Sequence, residues 1–474
     1  MQFIPQINRI LLGILALFAL VAISAAQWGV VERDSLLARE DNPRLVVAEQ
    51  TLIRGDIFDR SGVLLTTSVQ NADRTVSRQY LYPETSSALG YFSLRYGVGG
   101  AEAAYDRILR GDDLKLDLSR YFERDVLHLP QKGSDIRLTI DLDVQVAVFD
   151  AMRNQIGAAV VMTVPGGEIL ALVSLPAYDP NTLDENWETL IDAPDNPFFN
   201  RVLQGRYQPG GTLQTPLYAG ALRAKQSLEL VFANASAPVM LAELELSCAL
   251  APPTFALNLD QAYAYNCPAP FAEIADRLGV ESVQAILEAF LLGQSPSLPG
   301  FVAETTDEVP SPPALTADET LLEFALGQGS LTINPLNMAL MAAAIINDGN
   351  APQPYALLET RAPDFDDWQP VAPLPRSTPI MTVEIARQLK RLMIESAKVY
   401  AGTVSGQSII DSGGHLALAY SGDATQTWFV GFATSSGGQG VATAIVLENG
   451  DNLGRVAEIG NVALTSASEA LGRN

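Results

Sequence analysis

Chemistry in this chain concentrates in one stretch, Tyr207-Gln208-Pro209-Gly210-Gly211-Thr212-Leu213-Gln214. Pro209 and two glycines set a tight turn, and residues 212–222 can continue as a helix. A turn that feeds a helix leaves backbone N–H groups without intrahelical partners, and such groups can hold an anion or polarise a carbonyl. A nucleophilic site would also need a hydroxyl or thiol with a base one turn away on the same helix face. Gly211 has no side chain and Gln214 is neutral. An ordinary helix start is therefore the plainer alternative.

The elements that position this stretch come from a chain of 474 residues, enough for two or three domains, with 48% hydrophobic and 18% charged residues. Its 54 acidic and 30 basic side chains give a net charge of -24, which argues against nucleic acid and anionic membrane surfaces as partners. Two histidines, His128 and His415, and two cysteines leave little for a metal centre, and neither a metal nor a cofactor is expected. Asp364, Asp366 and Asp367 lack the spacing and ligand number for calcium and read as a solvated loop. Residues 10–31 hold one strongly polar side chain, Gln27, and predict a single membrane-spanning anchor of ~20 residues. Arg9 before it favours an inside N-terminus, with residues from Glu32 onward outside. Cleavage near Ser24-Ala25-Ala26 is the alternative.

Residues 45–53 read as a strand. Arg54-Gly55-Asp56-Ile57-Phe58-Asp59-Arg60-Ser61-Gly62-Val63 reads as two short strands about a tight turn. It also resembles the opening signature of class B penicillin-binding proteins, matched at Arg54, Gly55, Asp59, Arg60 and Gly62. The Gly-rich piece Tyr96-Gly97-Val98-Gly99-Gly100 with Glu102, Tyr105 and Asp106 resembles a second segment of that family, and Glu102 suits the N-terminus of a helix over 103–109. The resemblance implies a pedestal of the short kind. From Asp135 the order is a strand at 136–140, a helix capped by Asp141, and a hairpin about Pro165-Gly166-Gly167. This order resembles the start of the family's transpeptidase domain. Later helices are expected at 335–345 and 379–396, and a frayed tail at 461–474. The expected fold is α+β: a penicillin-binding/serine β-lactamase-like domain, with antiparallel sheet flanked by helices, over 135–474. A pedestal over 32–134 and a cytoplasmic stub with transmembrane helix over 1–31 complete it.

In that family a serine at position 211 would attack a D-alanyl-D-alanine carbonyl, with a lysine at position 214 as its base. Here they are Gly211 and Gln214, and Thr212 and Thr215 lie about 100° around the helix from the needed directions. The second motif, which shuttles a proton and binds the substrate amide, falls on Asn266 and Pro268. The third falls on Tyr420-Ser421-Gly422-Asp423, where the family's positive charge is gone and an acid is added. Cys248 and Cys267 lie where some relatives place a cysteine pair; a bond and two buried thiols both stay open. With all three motifs degenerate, no catalytic residue is expected. The resemblance then implies a pseudoenzyme, a membrane-anchored scaffold or regulator of peptidoglycan synthesis in cell division or elongation. Its partners would be cell-wall synthesis or divisome membrane proteins, and peptidoglycan. One alternative is an active D,D-transpeptidase or carboxypeptidase with relocated groups, Ser421 first among them. Another is a non-covalent sensor of wall fragments or β-lactams.

Overall fold

The computed structural model describes residues 4–27, 49–113, 130–227, 230–294, 298–301, 314–316, 319–363, 365–371, 376–402, 412–422 and 424–473. Asp364, Asp423, His128 and most of the segment 293–319 lie outside them. The described chain divides into two compact units. One takes residues 1–53, 69–77 and 115–132, and the other takes 54–68, 78–114 and 133–474.

In the first unit, helix α1 (Ile4–Ala26) carries the apolar N-terminal run, with exposed side chains such as Leu12 and Leu20. The expected transmembrane anchor is corrected. Among the described residues no helix is long and apolar enough to cross a membrane. The purely apolar part, 10–26, rises only ~25 Å at 1.5 Å per residue, short of a hydrocarbon core of ~30 Å. The extension needed, from Trp28 on, lies outside the described residues. The single-pass cell-membrane localisation and the membrane-spanning helix assigned to the partner contacts fall with it. The strand expected over 45–53 is also absent where described: residues 49–51 are helical, and Ile53 makes only an isolated bridge to Lys132.

In the second unit, β1 (Ile57–Phe58) and β2 (Leu64–Gln70) flank the predicted turn, and pair antiparallel through Ile57 with Thr66 and Phe58 with Leu64. Asp59 closes the turn by accepting from the N–H groups of Ser61 and Val63, both at 2.8 Å. β3 (Asp135–Leu138) pairs parallel with β1, so the strand expected to open the large domain joins this N-terminal sheet. Glu102 lies in the first turn of a short helix (Gly100–Ala104), where its charge suits the N-terminus, and it does more than that: it is fully buried, and takes Arg54 Nη2 at 2.9 Å and Arg78 Nε at 2.7 Å. Asp106 takes the other arm of Arg54 at 2.6 Å.

Asp141 caps α2 (Leu142–Ala151) through the Val144 N–H. The main sheet then forms from β4 (Gly157–Val164), β5 (Ile169–Leu175) and three late strands. Between them come α3 (Gln214–Arg223), α4 (Pro268–Leu278), α5 (Pro335–Ile346) and β6 (Leu357–Arg361), which pairs with β3. Next are α6 (Val383–Tyr400) and the strands β7 (Gly413–Ser421), β8 (Ala424–Thr434) and β9 (Gly440–Leu447). The sheet order is β7-β8-β9-β4-β5, antiparallel throughout.

Alternate residues of each strand enter opposite cores. Ala159, Val161, Phe429 and Ile445 join a cluster with α2 and the last helix, α7 (Leu453–Gly472). Ala158, Val160, Trp428 and Ala444 join the larger cluster around α5. Residues 461–473 were expected to fray; instead Ala463, Leu464, Ala467 and Leu471 are buried on the sheet. Small side chains let α7 lie close: a Cβ at Gly460 would come 2.4 Å from the Phe429 ring.

Removing one partner from a buried ion cluster leaves an uncompensated charge. Glu102→Ala should therefore destabilise the fold by about 3–5 kcal/mol, read as a lowered urea midpoint. Asp150→Ala, which removes the exposed partner of Arg153, should leave that midpoint unchanged within error.

Candidate active-site groove

The turn of residues 207–213 is held against the sheet edge from three sides. The Trp428 indole N–H donates to the Gln208 carbonyl at 2.9 Å. Gly210 N–H donates to the Gly327 carbonyl at 3.0 Å. Tyr207 and Arg201 converge on Glu448, with O–H to carboxylate at 2.8 Å and Nε to carboxylate at 2.9 Å. Gly210 adopts φ +51°, and a Cβ there would lie 2.1 Å from the Leu418 carbonyl oxygen. The glycine is therefore required by both conformation and close approach. One tight turn follows (Gly210–Leu213), and Gln214 opens α3. Glu448 carries no local signal in the sequence for its part in this support.

The motif positions do come together. A groove is lined by Gly210, Gly211, Gln214, Asn266, Pro268 and Tyr420, together with Leu246, Ser247, Gln328 and others. It encloses about 370 Å³ including the part open to solvent. Ser421 ends β7 at an exposed position and Gly422 follows in the turn, so neither lines the groove. Pro268 is the first residue of α4, where its missing N–H is tolerated. Tyr420 donates its backbone N–H to Gln328 Oε1 at 3.1 Å. Burial, then the nearby Asp451 carboxylate, hold its phenol above the ordinary tyrosine value.

Cys248 and Cys267 are joined by a disulfide that ties the loop carrying Ser247 to the segment carrying Asn266. Closing a loop of 19 residues restricts the unfolded chain by about 3 kcal/mol.

Asn266 has a role its sequence position could not disclose. It adopts φ +50°, a left-handed conformation that asparagine tolerates, and only 5% of it is exposed. Its carboxamide fills the space over Gly211: a Cβ at 211 would fall 2.2 Å from Oδ1 and 2.5 Å from Nδ2. Nδ2 donates to the Gly211 carbonyl at 3.2 Å and meets His415 Nε2 at 2.9 Å. His415 reaches the same carbonyl at 3.2 Å and stacks on Tyr263 with ring centres 4.0 Å apart. Burial pushes the imidazole down to about 4, opposed by its bond to Gly211. His415 thus belongs to this buried polar cluster.

Two outcomes follow from this packing. Gly211→Ser alone should displace Asn266 and destabilise by about 1–3 kcal/mol. Adding Asn266→Ser should recover part of that loss, a non-additivity read from a double-mutant cycle in urea. The second outcome concerns pH. The folded chain keeps His415 neutral down to about 4, whereas the unfolded chain takes up its proton near 6.5. Stability from this group is intact above pH 6.5, falls as pH drops from 6.5 to 4, and is level below. The total is about 3 kcal/mol. His415→Phe should remove that part of the slope between pH 6.5 and 4, measured as the difference between the two proteins' unfolding curves.

Known proteins share this architecture. The description "Penicillin binding protein transpeptidase domain" fits residues 157–464, and "Penicillin binding protein A dimerisation domain" fits residues 54–134. Peptidoglycan D,D-transpeptidase PbpA of Mycolicibacterium smegmatis is 30% identical over 471 residues, covering 94% of each chain. The protein of the same name from Mycobacterium tuberculosis is 30% identical over 475 residues, again covering 94% of each. Penicillin-binding protein A from M. tuberculosis superposes as its imipenem acyl-enzyme complex with a TM-score of 0.76 and 26% identity, over 88% of this chain and 99% of that one. Its penicillin G acyl-enzyme complex gives 0.75 at the same identity and coverage. Relatives named as transpeptidases, and solved as acyl-enzymes, overturn the expectation of a non-catalytic scaffold or regulator. The pseudoenzyme reading is withdrawn. With an α+β transpeptidase-like domain and an N-terminal dimerisation-type domain, the chain belongs to the class B penicillin-binding protein, or D,D-transpeptidase, family.

Proposed function

We propose that the chain is an acyl-transfer enzyme of the D,D-transpeptidase class, acting on the peptides of peptidoglycan and acylated by β-lactams. Its reacting groups are displaced from the three motifs. The observation that carries this reading is the 30% identity over 94% of both chains to proteins named D,D-transpeptidase. The likeness to acyl-enzyme structures over 88% of this chain supports it. We also assign the pedestal to residues 32–134 and the transpeptidase domain to 135–474.

Residue 211 has no atom that can attack, so the reading requires another hydroxyl. Ser247 lines the groove, and Ser421 ends β7 beside it in sequence from Tyr420. The described groove lining includes no carboxylate, amine or imidazole to take the serine proton. Tyr420 cannot serve readily, because burial keeps its phenol protonated. The proton then passes to water, and acylation should be about 10²–10⁴ slower than in a relative with a positioned base.

Intact-protein mass spectrometry during prolonged incubation with penicillin G tests the reading. A covalent adduct that accumulates slowly, maps to Ser247 or Ser421 and disappears in the corresponding alanine variant is the expected result. No adduct, under conditions in which a relative is fully labelled, would overturn acyl transfer.

A further inference from the structure

Five aromatic rings lock one surface of the second unit. The hairpin of strands Tyr91–Ser93 and Gly97–Gly99 meets the helix Leu183–Ile191 through Tyr96 and Trp187, whose rings stack at 4.0 Å and lie 4° from parallel. Tyr91 and Phe198 close on the same indole at 6.1 and 5.0 Å, and Tyr178 reaches Phe198 at 4.9 Å. The Ser93 hydroxyl donates to the Asp184 carboxylate at 2.6 Å. Hairpin and helix are thus fixed relative to each other, and a partner would meet them already ordered, with little entropy left to lose.

Beside these rings, four large apolar side chains remain in solvent. They are Leu94 and Val98 on the hairpin, Ile191 at the helix end and Phe199 next to Phe198, between 36% and 53% exposed. Single exposed apolar residues are ordinary, whereas a group gathered on an aromatic core has the make-up of an interaction site. Its rim is acidic. Glu185, Glu188, Asp192 and Asp195 are exposed, and no basic side chain among the described residues pairs with them. The hairpin's one base, Arg95, lies over the Tyr96 ring at 4.9 Å. Arg201, 5.9 Å from the Phe199 ring, is held by Glu448 at 2.9 Å. Acids around an apolar centre repel anionic lipid and nucleic acid, and in a two-fold contact with a second copy they would face themselves. They attract lysine and arginine.

We propose that this hairpin and helix form a protein-docking surface, and that its partner is a polypeptide segment carrying lysine or arginine beside large apolar side chains. The surface shares no residue with the groove lining and needs no acyl transfer, so it stands apart from the function proposed above.

Binding of a labelled amphipathic helical peptide of leucine, tryptophan and lysine to the full chain, followed by fluorescence anisotropy, tests the proposal. The lysine peptide should bind, and its counterpart with glutamate for every lysine should bind at least about tenfold more weakly. Leu94→Ser with Ile191→Ser should weaken the lysine peptide about tenfold, as truncation of central anchors does. Phe199→Ser takes the place of that pair should it lower the melting temperature. Glu185→Gln with Glu188→Gln should weaken binding about threefold and flatten its salt dependence. Glu243→Gln with Glu245→Gln, exposed acids of the separate hairpin Val239–Leu241 and Leu244–Leu246, should leave it unchanged. Equal losses from the two acid pairs would reduce the attraction to net charge and overturn the proposal. Absence of binding, or binding that survives the serine variants, would overturn it as well. A concentration-dependent dimer that the serine variants dissociate would assign the surface to a second copy and equally overturn it.

Discussion

The groove depends on a contact that only glycine permits, the approach of Gly210 to the carbonyl of Leu418 on the edge strand β7. That approach brings the turn onto the sheet. The Trp428 indole and the Glu448 carboxylate then hold the preceding residues from behind. Gly327 has positive φ as well, and a Cβ there would meet Gly210 N at 2.5 Å. Two backbones thus pack at glycine-only distance on either side of one turn. A substituent at either place would separate the turn from β7 before any chemistry of the groove came into question.

Below this contact, sheet packing sets the precision. The antiparallel sheet is covered on both faces, by α5 on one and by α2 and α7 on the other. Its strands are therefore near-continuous apolar runs instead of alternating ones. Burial on both faces fixes register strongly, because a slip of one residue would exchange the two cores. Tyr420 opposes Thr425 and Trp428 opposes Ala417 as a result, so the groove-facing tyrosine and the turn-holding tryptophan keep a fixed offset.

Much of this was legible in the sequence. The hairpin about Pro165-Gly166-Gly167, the Asp141 cap and the helix from Pro335 are local signals, and the structure has them where the local chemistry puts them. The motif positions Gly211, Gln214, Asn266, Pro268 and Tyr420 do meet in one groove. Other features were not legible because they depend on residues far apart in the chain. Asn266 lies 55 residues from the glycine it covers, and His415 lies 204 from it. Glu102 reads as a helix-start acid until Arg54, 48 residues away, arrives beside it. The last helix was missed for a different reason: its second half, 461–471, spaces Leu464 and Leu471 among small residues, and only the sheet opposite makes it a core element. The N-terminal apolar run reads as a span on its apolar length and the Arg9 before it, and the helix described there is not long and apolar enough to cross.

His415 is the sole histidine among the described residues, and it sits face to face with Tyr263 beneath Asn266. A ring in that position feels the tyrosine ring current, so its proton resonances should be displaced from those of the other imidazole in the chain, His128. Any occupant that shifts the Asn266 carboxamide alters the hydrogen bond at Nε2 and with it the nitrogen shielding of this one ring. The fold thus contains its own spectroscopic reporter of groove occupancy, readable without a label at natural sequence.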